Sequence, residues 1–447
     1  MMEYMQKFKE KAIERFCRWG KIIQRFPFRK EQPVYCRYSS LLGKYLAFQV
    51  LKPLDEEPYP ERIGIQFLDW SGDDFISKDV FTDIHPWGVM HFLEAPVPRG
   101  FQHMFNARPL KVKPHYFNGL LPWYNWDRMF AFQKRFSHLS SEREKNTQYK
   151  NVSGSLDLRG GTTDVEIQNS SLENIFTDES IALLSIIQST LSGSIQDPQQ
   201  GAKLRLSISG KEYLFHGLER LTWLSLTTDT DIDLNSLAAT YPLLQTLNLF
   251  GQPGKIHNLD ALRNLSNLEV FFCFNMFGFD GKDMPLPEEL PKVFYLEFDT
   301  LPTFAASQLR TKWNHVDGVV FKLSHTHKPE WFLRNKDNPF RSWNDSEELP
   351  RSIASRAEKI YRNAKKEVLL LNSHQDPVVR RSEFIRIIQD FVGAFNTIDA
   401  KKLWFATIER EKIYDAGYEL LRTARDHAGI VMPDEEFSSV FDEKRNW

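Results

Sequence analysis

The chain has 447 residues, more than one hydrophobic core usually serves, so roughly two to four structural units are expected. Hydrophobic residues at 41% and charged residues at 26% describe an ordinary soluble globular protein, and a net charge of −2 excludes the overall basic balance of a dedicated nucleic-acid binder. Three scattered cysteines, Cys17, Cys36 and Cys273, exclude a disulfide framework or a cysteine-based zinc site, and read as thiols in a reducing compartment.

No apolar run approaches the ~18 residues of a membrane span. The charged N-terminus lacks the central apolar region of a secretory signal, so a cytoplasmic protein is expected. Residues 1–30 carry nine Lys/Arg against three Glu. Within them, Met5, Phe8, Ala12, Phe16, Trp19, Ile23 and Phe26 recur in steps of three and four, which predicts a basic amphipathic helix over 1–26, stopped by Pro27. Such a helix either docks on its own protein or attaches to a membrane surface.

Residues 31–136 read as an α/β or mainly β unit. Lys44–Leu51 and Arg62–Trp70 mix β-branched and aromatic residues between turn residues, as strands do. Pro109, Pro114 and Pro122 break an aromatic-rich run that ends in Trp123-Tyr124-Asn125-Trp126. Residues 137–199 read as a linker followed by a cap on what comes next: two short alternating pieces, Leu156-x-Leu158 and Val165-x-Ile167, then a helix-like stretch from Leu172 to Leu191. Beyond the central region, residues 327–447 begin with a polar loop. Three helices are expected near 351–366, 378–396 and 408–427, and the acidic end after Pro433 is expected to fray.

The central region, residues 200–326, holds a repeat of the form apolar-x-x-apolar-x-apolar. Clear units begin at Leu221, Leu244, Leu268 and Val293, with weaker ones ending in Leu204-Arg205-Leu206 and Phe321-Lys322-Leu323. Anchors at 204, 224, 247, 271, 296 and 321 give steps of 20, 23, 24, 25 and 25 residues. This pattern resembles the leucine-rich-repeat family. The resemblance covers about a quarter to a third of the chain. It implies a short solenoid of parallel strands whose inward leucines are buried by stacking. The Asn or Cys that usually follows the strand is Asp229, Gln252, Met276 and Leu301 here, so the arc is expected to be irregular.

Alternation along each strand predicts which residues line the concave face. They include Lys203, Arg205 and Ser207 at one end and Val320, Lys322 and Ser324 at the other. Between them, Trp223, Phe250, Phe272, Phe274 and Tyr295 point outward, beside Asn248, Glu297 and Asp299. Five aromatics on one face suggest a contact surface, so these eight residues are the candidate partner-binding site. The alternative is that the N-terminal helix or the C-terminal helices cover the patch.

Signs of catalysis are weak. No Gly-rich phosphate loop, nucleophile elbow or metal-binding helix motif is present. His325-x-His327 implies no third metal ligand. Ser373-His374-Gln375-Asp376 holds triad residue types in adjacent positions, whereas triads assemble from distant ones. Cys36 lacks an identifiable partner, and Glu409-Arg410-Glu411-Lys412 reads as a solvated helix face. His85-Pro86-Trp87-Gly88 with Trp123, Trp126 and Asp127 is the best place for a hidden pocket in the N-terminal unit.

The reading is therefore an α/β chain: a short irregular leucine-rich-repeat solenoid flanked by an N-terminal α/β or mainly β unit and a C-terminal helical region. Its expected role is to hold a partner protein on the concave face as a scaffold, sequestering or inhibitory module, without cofactor, metal or nucleic acid. The alternatives are an enzyme with its active site in the N-terminal unit, and a peripheral membrane protein attached through residues 1–26.

Overall fold

The structure, a computed structural model, describes residues 31–51, 62–94, 96–108, 116–120, 123–127, 130–131, 134–135, 146–160, 163–346, 348–371, 376–400 and 402–447. The amphipathic helix expected over 1–26 lies outside them, as do Cys17, Ser373 and His374. The chain forms two compact units, one ending at Lys328 and one running from Pro329 to Trp447. The architecture is mixed α/β, with parallel-strand sheets and a C-terminal helical region. Among the described residues no helix is long and apolar enough to cross a membrane.

The first unit opens with β1 (Gln32–Ser39), β2 (Lys44–Leu51), β3 (Arg62–Gly72), β4 (Pro86–Glu94), β5 (Gln102–Ala107) and β6 (Tyr116–Leu120). They form one sheet in the order β5-β1-β2-β3-β4-β6, antiparallel except where β4 meets β6. The two strands expected from sequence fall in place as β2 and β3. Alternation sends Leu46, Phe48, Ile63, Ile65 and Phe67 to one face and Cys36, Ala47 and Leu68 to the other, and both sets are buried. The short helix α1 (Lys78–Phe81) helps close the second face with Phe81.

The rest of this unit is a ladder of nine parallel strands, each paired with the next along the chain. They are β7 (Asn146–Lys150), β9 (Asp164–Gln168), β11 (Leu183–Ile187), β14 (Arg205–Ser209), β15 (Trp223–Thr228), β17 (Thr246–His257), β18 (Val270–Phe277), β19 (Tyr295–Asp299) and β21 (Val320–Leu323). In register their first residues are 146, 164, 183, 205, 223, 246, 270, 295 and 320, steps of 18, 19, 22, 18, 23, 24, 25 and 25 residues. One side of the ladder carries the buried pairs Val165/Ile167, Leu184/Ile186, Leu206/Ile208, Leu224/Leu226, Leu247/Leu249, Phe271/Cys273 and Leu296/Phe298. No single strand could bury such a pair, whereas stacking removes each from water at about 25 cal/mol per Å² of apolar area.

Two expectations are corrected here. The ladder starts at Asn146 rather than near residue 200, so the segment expected to be linker and cap supplies three of its strands. The helix-like stretch Leu172–Leu191 is instead β10 (Ser171–Phe176), β11 and β12 (Thr190–Leu191). Its apolar residues feed two different sheets, because β10 joins β8 (Ser153–Asp157), β12 and β13 (Ile195–Gln196) in a second parallel sheet. Superposing two strand patterns imitates a helical period. A smaller shift applies to β14: Leu206, not Leu204, is the register mate of Leu224, so Arg205 rather than Lys203 pairs with Trp223.

Six of the nine turns after the ladder strands share a feature that the sequence frame missed by one residue. Asn151, Asn169, Gln188, Asn275, Thr300 and His325, each directly after the fifth position, have positive φ. Asn tolerates this left-handed conformation better than most residues. At the equivalent Gly251, an added Cβ would lie 2.1 Å from the Asn275 carbonyl oxygen, so only glycine fits that approach.

The second unit contains α4 (Pro329–Asn335), α5 (Arg351–Leu370), α6 (Pro377–Asp399), α7 (Thr407–Ala428) and α8 (Asp434–Lys444). The long helices α5–α7 match the three expected ones. The end of the chain does not fray: α8 buries Phe437 and Phe441 completely, one helical turn apart. Gly417 of α7 leaves room for Phe441, whose Cε2 would be 2.8 Å from an added Cβ.

Candidate functional site

The ladder has a second face, opposite the leucine core, and all eight candidate residues belong to it. Register aligns Trp223, Thr246, Val270 and Tyr295 in one row, Ser225, Asn248, Phe272 and Glu297 in the next, and Thr227, Phe250, Phe274 and Asp299 in the third. Four of the aromatics form one connected group: Phe250 and Phe274 meet at 5.3 Å between ring centroids, Phe272 and Phe274 at 5.7 Å, and Phe272 and Tyr295 at 5.5 Å. Tyr295 donates its hydroxyl to Glu297 Oε2 at 2.8 Å, and Lys322 Nζ sits 5.5 Å from the Tyr295 ring. Both polar groups are thereby tied to the patch.

The patch is not equally open. Phe272 and Tyr295 are 6% and 1% exposed, and Asn248 is buried as well. Their cover is the aromatic turn at Trp123–Asn125 of the first sheet's region. The Tyr124 ring stands edge-on to Phe272 at 4.7 Å and to Tyr295 at 5.1 Å, the arrangement ring quadrupoles favour. Trp123, Trp126, Phe130, Phe48 and Phe67 extend the same core. The expectation of five outward aromatics is therefore corrected at Phe272 and Tyr295, and among the described residues of this unit their cover comes from the 31–136 segment. Trp223, Phe250 and Phe274 stay half-buried.

Three arginines lock this cover in place. Arg37, only 5% exposed, pairs with Glu269 at 2.6 Å and lies between the rings of Phe101 and Phe294 at 4.5 and 4.3 Å. Arg99 donates to the carbonyls of Leu290 and Val293, and its own amide to that of Gly318. Arg135 donates to the carbonyls of Lys203, Glu179 and Ile181 at 2.7, 2.9 and 3.2 Å. Burial lowers the Arg99 guanidinium and pushes that of Arg135 down to about 10, still well above neutral pH. Guanidiniums suit this role because their fan of donors meets several loop carbonyls at once.

Beside Trp223 the cover and the ladder leave a narrow cleft with a cavity volume of about 40 Å³, room for little more than water. Tyr38, Tyr124, Asp127 and Glu269 line one part of it, Arg205 and Trp223 the other. Arg205 stacks over Trp223 at 5.6 Å, and Asp127 accepts a hydrogen bond from Ser39 Oγ. Trp126 and Asp127, expected near a hidden pocket, thus do border a cleft. Trp123 is fully buried core, and the Trp87 side chain lies outside the described residues.

The remaining chemical candidates have structural roles. Burial pushes the Cys36 thiol up to about 11, which leaves it protonated at neutral pH and a poor nucleophile. His325 Nδ1 lies 2.7 Å from Asp299 Oδ1, which also accepts from Ser324 Oγ at 2.6 Å. Among the described residues no group of three His, Cys, Asp or Glu side chains is placed to hold a metal ion. Asp376 caps α6, accepting from the amides of Val378 and Val379. Glu409 likewise accepts from the Ala406 amide at the start of α7.

Comparison with family models, with curated proteins and with solved structures finds no match to this chain. The functional reading therefore rests on the residues themselves. Sequence reasoning found the face but missed its lock. Tyr124 lay in an aromatic run already noted, but Arg37, Arg99 and Arg135 carry no local signal, because their partners are backbone carbonyls and rings far along the chain.

Proposed function

We propose that this chain is an interaction protein of leucine-rich-repeat type that binds a partner protein on the uncovered part of its ladder face. The observation that carries the reading is the half-exposed set Trp223, Phe250 and Phe274, placed beside an open polar row, Ser185, Ser207 and Ser225. Aromatic anchors next to small polar groups are the composition of a binding hot spot and its rim. The repeat assignment is supported by the near-constant strand steps, the stacked leucine pairs and the left-handed Asn turns. A scaffold or sequestering role follows from a rigid face without an evident reaction centre. Two buried, unpaired cysteines, Cys36 and Cys273, fit the reducing setting of the cytoplasm.

The test compares wild type with Trp223→Ser/Phe274→Ser in affinity capture from host extract, followed by quantitative binding to each captured protein. Partners of this face should be lost from the double variant while its thermal midpoint stays close to wild type. Identical captured sets and affinities would remove the ladder face from the reading. Phe272 is left intact in this experiment because it is core.

A further inference from the structure

A second concavity lies beside the third row of the face, where the turns after β11, β14 and β15 and the segment at Gln252 within β17 line a cavity of about 380 Å³. That volume falls within the range of small-molecule sites. Its walls are unusual for such a site because they hold no large apolar side chain. They are built from Gln188, Ser209, Lys211, Thr227, Asp229 and Gln252, with Glu212 and further hydroxyls beside them. Among the described residues the side chains of those six make no hydrogen bond or ion pair, although the ladder brings them to one place from four successive turns. Ser209 and Thr227 are register mates, which sets their hydroxyls side by side.

We infer that this cavity is a binding site for a neutral, polyhydroxylated ligand with the chemistry of a sugar ring. Three features select that class. The unpartnered groups include both donors and acceptors: two amides and two hydroxyls that do both, one ammonium and one carboxylate. Hydroxyl groups need this mixture because each both gives and takes a hydrogen bond. The planar amides of Gln188 and Gln252 and the carboxylate of Asp229 can each meet two neighbouring hydroxyls of one ring. The formal charge of the wall, one Lys against Asp229 and Glu212, disfavours phosphates and other anions. This site adjoins the proposed protein contact through Ser209 and Thr227, which belong to the third row, while Asp229 and Gln252 lie outside the three rows and separate the two in the test.

The test is saturation-transfer NMR on the full chain with a panel of common monosaccharides and their disaccharides, and inorganic phosphate as the anionic control. At least one sugar should receive saturation, and Asp229→Ala and Gln252→Ala should each weaken it about tenfold. The thermal midpoints of both variants should match wild type, because both positions are exposed. Trp223→Ser/Phe274→Ser should keep sugar binding, which separates this site from the protein-binding reading. The inference is overturned if no sugar in the panel binds, if phosphate binds better than every sugar, or if folded Asp229→Ala and Gln252→Ala bind as wild type does.

Discussion

The early and late halves of the ladder solve the same problem differently. From β7 to β15 the steps are mostly 18 or 19 residues, and the chain returns through short strands such as β8 and β10. From β15 onward the steps lengthen to 23–25 residues. There three of the four returns contain helix, through α2 (Leu234–Thr240), the 3-10 turn Leu259–Asn264 and α3 (Thr303–Trp313), while the return from β18 to β19 is irregular. A strand advances about 3.3 Å per residue and a helix about 1.5 Å, so a short coil can only close with an extended return. The faces differ in the same way. The early half leaves Ser185, Ser207 and Ser225 half-exposed, whereas the late half buries Phe272 and Tyr295 under Tyr124. One half of the face is a surface and the other has become a core.

The sharpest way to break that comparison is to treat Phe272 as a surface residue. Phe272→Ala should cost about 3–5 kcal/mol, read from the denaturant midpoint of the full chain. A loss below about 1 kcal/mol would return Phe272 to the exposed patch. Arg37→Met should cost about 2–3 kcal/mol, because it leaves the part-exposed Glu269 without its partner and removes the cation between Phe101 and Phe294. If the variant unfolds like wild type, the cover is held by apolar packing alone.

The helical return through α2 should carry a pH signature. Asp233 caps α2 and accepts from Ser236 and Asn258, bonds that hold its carboxyl down at about 2. The shift is downward, so its contribution is complete above the ordinary carboxylate range and is lost as pH falls through about 4 to 2. Asp233→Ala should cost about 1 kcal/mol at neutral pH and less in acid, checked by thermal midpoints across that range. An equal loss at both pH values would assign the cost to packing. At the small end, Ser207→Ala in the open row should change stability by no more than about 0.5 kcal/mol. A larger loss would mean that the early face, too, is covered.

Much of the ladder was legible because its signal is local. Leu224/Leu226, Leu247/Leu249 and their mates recur at nearly equal intervals, and strand alternation then assigns the opposite face without further information. The early coils escaped notice because Val165/Ile167 and Leu184/Ile186 are short pairs separated by shorter, strand-returning loops, whose mixed pattern imitates a helix. The C-terminal helices were legible for the same reason as the ladder, down to Phe384, Ile387, Ile388, Phe391 and Phe395 on one buried stripe. The last helix was not, since an acidic segment reads as solvated until Phe437 and Phe441 find Tyr414 and Gly417.

By itself, then, the sequence determined the repeat, its register to within a residue or two, and the identity of the side chains on each face. Those properties depend on spacing along the chain. Tertiary structure alone decided which of those side chains remain available. Tyr124 and the three arginines reach Phe272, Tyr295, Glu269 and a row of loop carbonyls across 44 residues of sequence or more. An arginine that donates to a backbone carbonyl places no demand on the residue type of its partner, so no pattern in the sequence announces it.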